Sequence, residues 1–473
     1  MNQSNETMTF YGGLNTIGGV HIVVGSGDTG LVFDLGLALR GFFQGEVRAR
    51  GAEGIRSYLL TRSAPPILQL YDPSVTADIG EQDLERLWNK PFLPSFPNMH
   101  VFMSHIHQDH MALLPYLRRD IPVYMHQDAH AVYKAVDASG EYGDTPGAIQ
   151  PLQDLQEITI GDFKLQIIEV DHDSPGVSGF ILRTNEHTIA FTADWRRHGR
   201  HSYRMDRFIK LCREAEVDVL ITEGTRLRPD TLFRKPTDRQ ELDVAATYLK
   251  VLEQAEGLVY VNILARNVER VADIIMATKA AGRTLVMDES TAVLWHVATQ
   301  EGIVALEDHL ALREMETIRV LPNSGPGAMS GAQHKLPYAS ITLGEMIADK
   351  SRYAMYLTYQ QLLLMAELER LGETAAPSQY VHADGNPLNH SDETLLRWLS
   401  EFGVTYHYCA TGGHAAPQEI SDLVEGIQPK VVIPLHSIHP TLFDSRGVPR
   451  FYPTFGETVV LNQLIGAYAP VVK

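Results

Sequence analysis

At 473 residues the chain is too long for a single compact core and long enough for two or three domains. Hydrophobic residues at 44% and charged residues at 21% make an ordinary soluble globular composition, and two cysteines, Cys212 and Cys409, exclude a disulfide framework or a thiolate metal cage. The net charge of −18, from 58 acidic against 40 basic residues, runs opposite to the usual balance of a nucleic-acid binder.

The first residues, MNQSNETMTFYGG, lack a basic stretch followed by an apolar one, so no signal peptide is expected. No apolar run reaches the ~18 residues that span a bilayer. The longest, Tyr353 to Leu368, is interrupted by Gln360 and Gln361 and reads as a packed helix. A cytoplasmic protein without a membrane partner is the expectation.

From Met8 to Leu35, short β-rich runs alternate with glycine turns, and residues 36–98 are rich in loops. The pattern then predicts a strand at Met99–Ser104, a histidine cluster, and a helix from about Met111 to Arg118. Strands follow at Val123–His126, Phe163–Val170, Gly179–Thr184 and Thr188–Ala193. Beyond residue 225, helical periodicity at Glu241–Glu256 and Val268–Ala281 precedes β-rich runs at Leu258–Ile263 and Thr284–Met287, the alternation of a small α/β unit. Near Gly372 a linker-like stretch ends that unit. Strand Tyr380–His382, helix Ser391–Phe402 and strand Val431–Pro434 follow. The simplest organisation is one domain interrupted by another: 1–235 and 373–473 around an insert at 236–372.

The segment from His105 through His107, Asp109 and His110 puts four metal-ligand side chains into six residues, after an apolar strand and before a helix. Alternate positions 105 and 107 can face one side of an extended turn, while 109 and 110 aim at a neighbouring point. Imidazole nitrogen and carboxylate oxygen suit Zn²⁺, with Mn²⁺ or iron as competitors. Two later residues have the right setting to complete a dinuclear site. His172 follows one strand, and Asp194 ends another, where its carboxylate can bridge two metals.

With these residues in order, the chain resembles the metallo-β-lactamase superfamily: Asp34 in LVFDLG matches its first motif, His105–His110 the second, His172 the third and Asp194 the fourth. Glu223 in LITEGT, His414 in TGGHAA and His436 in IPLHSIHP resemble the three motifs of its β-CASP nucleic-acid-processing branch, which includes ribonuclease J. The resemblance implies an α/β fold, an αββα sandwich with an inserted α/β β-CASP domain, and two divalent metal ions, Zn²⁺ or else Mn²⁺. It implies one metal on His105, His107, His172 and Asp194, and another on Asp109, His110, Asp194 and His436. It further implies a metal-bridging hydroxide as nucleophile, His414 as general acid tuned by Glu223, and Asp34 orienting a ligand imidazole.

Two basic runs lie beside these motifs. Arg196, Arg197, Arg200 and Arg204 follow Asp194, and Arg226, Arg228, Arg234, Lys235 and Arg239 follow Glu223. Arg196, Arg197 and Arg226 are the expected phosphate contacts, with Trp195 or Tyr203 as a stacking face. The resulting expectation is a metal-dependent hydrolase of single-stranded RNA phosphodiesters, exo- or endonucleolytic, with the oligomeric state open and a homo-oligomer among the options. A DNA-processing nuclease and a small-molecule hydrolase (lactonase or thioesterase) are the alternatives. A non-catalytic scaffold ranks last because each proposed ligand is present.

Overall fold

The apolar runs of the first hundred residues are nearly continuous because the strands they form are buried on both faces. In Ile22–Ser26, Thr29–Phe33 and Asn98–Met103, alternate residues go to opposite sides: Ile22, Val24, Leu31, Phe33 and Phe102 to one core, and Val23, Val32, Val101 and Met103 to another. The computed structural model describes residues 6–38, 54–76, 78–89, 96–141, 149–230, 239–307, 309, 315–322, 335–371, 376–386 and 389–468.

Three sheets are formed among the described residues. The first runs in the order Glu457–Val460, Thr7–Phe10, Ile22–Ser26, Thr29–Phe33, Asn98–Met103, Val123–His126, Ile149–Leu152. The second runs Val431–Leu435, Val219–Glu223, Thr188–Phe191, Ser178–Arg183, Phe163–Glu169, Glu157–Ile160. The shared core between these two includes Phe33, Phe102 and Phe180, with the Phe180 ring edge-on to Phe33 at 4.9 Å and to Phe102 at 5.0 Å. Helices Tyr203–Glu214 and Pro417–Ile427 bury Phe208, Cys212, Ile420 and Leu423 in that same core, completing the αββα sandwich on one side.

The third sheet is parallel throughout, in the order Ala339–Ser340, Ile318–Leu321, Thr284–Asp288, Tyr353–Tyr356, Val259–Asn262, Gln379–His382, Thr405–Tyr408. It joins the first sheet's outer core through helices Gln127–Ala138 and Glu289–Gln300, whose buried Val132, Tyr133, Leu294 and Trp295 share one cluster. In a parallel sheet the loops at the carboxyl ends of the strands are the ones positioned to carry function. Here those after His382 and Tyr408 lead to Asp384 and to Thr411–His414.

Three expectations change. The joints at 235/236 and 372/373 fall outside the described residues, but the strands at Gln379–His382 and Thr405–Tyr408 pair within the third sheet, so residues 379–408 do not return to the sandwich. The helix expected at Met111–Arg118 is confined to Gln108–Met111 and a single 3-10 turn at Leu114–Tyr116, because Pro115 has no N–H to continue the ladder. The run Tyr353–Leu368 divides into strand Tyr353–Tyr356 and helix Leu362–Arg370. Among the described residues no helix is long and apolar enough to cross a membrane.

Glu241, at the start of helix Glu241–Gln254, and Arg270, on helix Val268–Ala280, form a buried bidentate pair at 2.6 Å. Burial works against the Glu241 carboxylate, yet Arg270 and then Arg196 hold it down at about 2. Its stabilising contribution is therefore complete above the ordinary value of 4.5 and is lost as the pH falls from there through about 2. Urea titrations across that window should show falling stability in the wild type and a shallower fall in Glu241→Gln. Phe180→Ala should cost ~3–5 kcal/mol in the same assay, because no neighbour can fill the space between the sheets.

Candidate metal centre

The strand Asn98–Met103 delivers Ser104 and His105 to its carboxyl end, and the next turn folds back as the short helix Gln108–Met111. That turn is laced to the chain before it: the Gly19 N–H donates to the Asp109 carbonyl at 2.8 Å, and the Leu35 N–H to that of His110 at 2.7 Å. The approach requires glycine at position 36, where a Cβ would lie 1.6 Å from the Asp109 carbonyl oxygen. His172 and Asp194 arrive after strands Phe163–Glu169 and Thr188–Phe191, Glu223 ends Val219–Glu223, and His436 follows Val431–Leu435. Strand ends from two sheets thus converge on one point.

Two groups of side chains result, each with ligand atoms within 4.8 Å of one another: His105, His107 and His172, and Asp109, His110, Asp194 and His436. Asp194 Oδ2 is common ground, 3.8 Å from His105 Nε2, 3.2 Å from His110 Nε2 and 3.6 Å from His436 Nε2. His436 Nε2 also lies 3.1 Å from Asp109 Oδ2. The structure brings all seven expected ligands together.

Four of the imidazoles are turned the same way by a partner on Nδ1. His110 donates to Asp34 Oδ2 at 2.8 Å, His105 to Ser104 Oγ at 2.9 Å, His172 to the Gly413 carbonyl at 2.5 Å and His436 to Thr225 Oγ1 at 2.7 Å. Ser104 in turn donates its hydroxyl and its N–H to Asp34 at 2.8 and 2.7 Å. Each ring then presents Nε2 to the centre, the arrangement that fixes the tautomer of a ligating histidine. Asp34, Ala193 and His436 hold positive φ of 59°, 54° and 50°, a conformation that non-glycine residues rarely adopt.

Among the described residues, the buried Nε2 atoms of His105, His110 and His172, with Asp194 Oδ2 and Asp173 Oδ1, have no hydrogen-bond partner. Buried polar atoms are normally paired, so five of them aimed at one small volume fit divalent cations. Burial pushes the His105 and His172 imidazoles down, His172 to about 4, so both keep their lone pairs at neutral pH. His110 shifts the other way: against burial, Asp194, Asp109 and Asp34 hold its proton well above the ordinary value. The carboxylates there call for positive charge. A third group, His126, Asp128 and Glu169, meets the same distance limit, but Arg204 at 2.7 Å from Glu169 already supplies the cation.

His414 stands beside these ligands, with Nδ1 3.2 Å from Glu223 Oε2 and 3.8 Å from Asp194 Oδ2. A quarter of its side chain is exposed, against 2% for Asp194 and 1% for Glu223. Burial disfavours its charged form, but Glu223 and then Asp194 and Asp173 raise it to about 9. Glu223 is itself anchored by the N–H groups of Trp195, Thr225 and Ala415.

The basic residues behave differently from expectation. Arg196 is 2% exposed and pairs with Glu241 at 2.9 Å, so it does not face a substrate. Arg197 pairs with Asp206, Arg200 with Asp273 and Arg204 with Glu169, which leaves that run neutralised rather than open to phosphate. Trp195 is wholly buried and cannot serve as a stacking face, whereas Tyr203 is 59% exposed. Arg226 reaches the His414 carbonyl at 3.4 Å and is half-buried. Arg234 and Lys235 lie outside the described residues. Sequence reasoning missed Asp173, whose Oδ1 is 3.2 Å from both His107 and His172; its position next to His172 was the available signal.

Asp34→Ala removes the acceptor of both His110 and Ser104 without touching the centre. It should weaken divalent-metal binding ~10–100-fold, measured by competition with a chromophoric chelator, while far-UV circular dichroism stays unchanged.

The Beta-lactamase superfamily domain matches residues 70–259. Ribonuclease J of Mycoplasma genitalium is 23% identical over 350 residues, covering 71% of this chain and 57% of that protein. Ribonuclease J of Thermus thermophilus is 22% identical over 360 residues, covering 71% and 57%, and that of Mycobacterium tuberculosis 24% over 384, covering 78% and 64%. The chain therefore spans less than two thirds of the length of these relatives. A crystal structure of a protein of unknown function from Enterococcus faecalis V583 superposes with a TM-score of 0.74 at 23% identity, covering 96% of this chain and 99% of that one, which shows the shared fold. Residues 70–259 thus match the Beta-lactamase superfamily domain, and over 71–78% of its length the chain is similar to ribonuclease J.

Proposed function

We propose that this protein is a metal-dependent phosphodiesterase acting on single-stranded RNA. The observation that carries the reading is His414: a partly exposed imidazole, held by buried Glu223 and 3.8 Å from Asp194, the carboxylate that both ligand groups approach. A lactone or thioester hydrolase has less need of a proton donor set there, whereas a sugar alkoxide leaves poorly without one. Ribonuclease J relatives support RNA as the polymer. The third sheet, whose strand-end loops at Asp384 and Thr411–Gly413 border the site, supports a substrate larger than a single small molecule. On this reading the core unit comprises residues up to about 235 and from about 409, with the inserted unit between.

His105, His107, His172 and Asp194 would hold one divalent cation, and Asp109, His110, Asp194 and His436 the other, with Zn²⁺ or Mn²⁺ matching the nitrogen and oxygen donors. Bound there, such ions supply a water of lowered pKa and neutralise charge on the phosphate oxygens. The protein's own part is orientation and proton transfer. Asp34, Ser104, Thr225 and Gly413 set the imidazoles, and Glu223 holds His414 protonated. As water attacks phosphorus and the bond to the leaving sugar oxygen breaks, His414 gives its proton to that oxygen. The products are a phosphomonoester and a free hydroxyl. On this reading Arg226, whose guanidinium reaches the His414 carbonyl, would contact the phosphate backbone.

The test uses purified protein with Zn²⁺ or Mn²⁺ on 5′-monophosphate, 5′-triphosphate and internally labelled RNA beside matched single-stranded DNA. RNA should be cut, and the labelled products will distinguish exonucleolytic from endonucleolytic action. His414→Ala should retain its metal and lose ~10²-fold or more in turnover. Normal cleavage by that variant contradicts the proton-donor role. Hydrolysis of esters or lactones with no cleavage of any nucleic acid contradicts the nuclease reading.

A further inference from the structure

The loop that carries His414 cannot hold itself in place. It runs Thr411, Gly412, Gly413, with Gly412 at φ +80°, and a Cβ on Gly413 would come within 2.8 Å of His172 Cε1. Two consecutive glycines remove the side chains that would otherwise pack the segment and give its backbone the most freedom to lose. Its peptide groups are instead held from outside. The N–H groups of Thr411 and Gly412 both donate to Asp384 Oδ2 at 3.0 Å. The Gly412 carbonyl accepts from Arg196 Nη1 and His198 Nε2, each at 3.0 Å, and the Gly413 carbonyl accepts from His172.

Asp384 is set by the third sheet. It follows strand Gln379–His382, holds a φ of 67° that non-glycine residues rarely adopt, and receives Arg270 Nη1 at 2.8 Å. Arg270 is 2% exposed and uses its remaining donors on Glu241, on the Ala383 carbonyl at 2.9 Å and on Thr411 Oγ1 at 3.1 Å. Arg196, from the sandwich, shares Glu241 with it. Arg270, Arg196, Glu241 and Asp384 thus form a cluster with its partners drawn from both units, and Asp171 lies 3.7 Å from Arg196. Its polar ends converge on the three residues that precede His414.

We propose that Asp384, held by Arg270 and Glu241, is a positioning residue: it sets the 411–413 loop, and through it both the His414 ring and the Nδ1 partner of His172. This rests on the phosphodiesterase reading for His414 alone; the His172 half stands on geometry independent of the reaction. A cluster that served only to hold the fold would have no reason to act selectively on substrates that need a proton donor. A misplacement of about 1 Å at a reacting group can cost ~10²-fold in rate, so a loop anchored by two hydrogen bonds to one carboxylate oxygen is a sensitive point.

The test compares Asp384→Ala, Asp384→Asn, His414→Ala and the Asp384→Ala/His414→Ala double variant, on an RNA oligonucleotide and on bis(p-nitrophenyl) phosphate. The second substrate has a leaving group that departs without a proton. With Zn²⁺ saturating for every variant, Asp384→Ala should lower kcat on RNA at least ~10-fold with KM little changed, and lower turnover of the nitrophenyl ester much less. In the His414→Ala background it should add no further loss on RNA. Asp384→Asn, whose side-chain oxygen can accept the same two N–H groups, should recover most of the activity. Zn²⁺ affinity, read by chelator competition without any substrate, should fall in Asp384→Ala and recover in Asp384→Asn. Equal losses on both substrates, multiplicative losses in the double variant, or unchanged Zn²⁺ affinity would each overturn the positioning role. If His414→Ala cleaves RNA normally, the proton-donor reading falls, while the Zn²⁺ measurement still decides whether Asp384 positions His172. Should Asp384→Ala fail to fold, Asp384→Asn and Arg270→Lys carry the same comparison.

Discussion

The Asp194 carboxylate lies almost wholly out of water, with imidazoles of His110, His436 and His105 at 3.2, 3.6 and 3.8 Å and Oδ2 without a hydrogen-bond donor. Asp109 stands 3.1 Å from the same His436, and Asp34 is fully buried behind His110. Burying that much negative charge is costly unless it is paired or coordinates a cation. Imidazoles kept neutral by burial cannot pair it, as the depressed His105 and His172 show, whereas His110 and His414 are held protonated by the surrounding carboxylates. Divalent cations resolve this, accepting the inward Nε2 lone pairs and the carboxylates together.

The architecture follows from delivering these groups. Each comes from the carboxyl end of a strand or the turn after it, and the strands belong to two sheets whose shared core fixes their mutual position. Phe180, packed edge-on against Phe33 and Phe102, ties the second sheet to the two strands of the first that lead to Asp34 and His105. Positive φ at Asp34, Ala193 and His436 shows where local backbone preference yields to site geometry. The outer partners Ser104, Thr225 and the Gly413 carbonyl do the remaining work of aiming each ring. The third sheet contributes no expected ligand, yet its Asp384 and Arg270 reach the loop beside His172 and His414.

The residues that converge on the candidate centre were legible in the sequence because their types have few other reasons to recur at strand ends in that order. The sandwich strands were legible because burial on both faces leaves apolar runs such as Leu31–Phe33. What escaped depended on partners far along the chain. Arg196 and Trp195 look like exposed substrate contacts beside Asp194, but Glu241 and the sandwich core bury them. The strands after residue 373 could be assigned to either unit until their parallel pairing with Val259–Asn262 was seen, since short strands carry no label of the sheet they join. Asp384 and Arg270 are separated by 114 positions, and no local pattern announces such a pair. Pro115 was visible but outweighed by the apolar spacing around it.

The most direct test is anomalous diffraction from crystals grown with Mn²⁺ or Zn²⁺. The account predicts two peaks flanking Asp194, one among His105, His107 and His172 and the other among Asp109, His110 and His436, with the four Nδ1 hydrogen bonds unchanged. A single ion, or ions seated only elsewhere, such as at His126, Asp128 and Glu169, would contradict it.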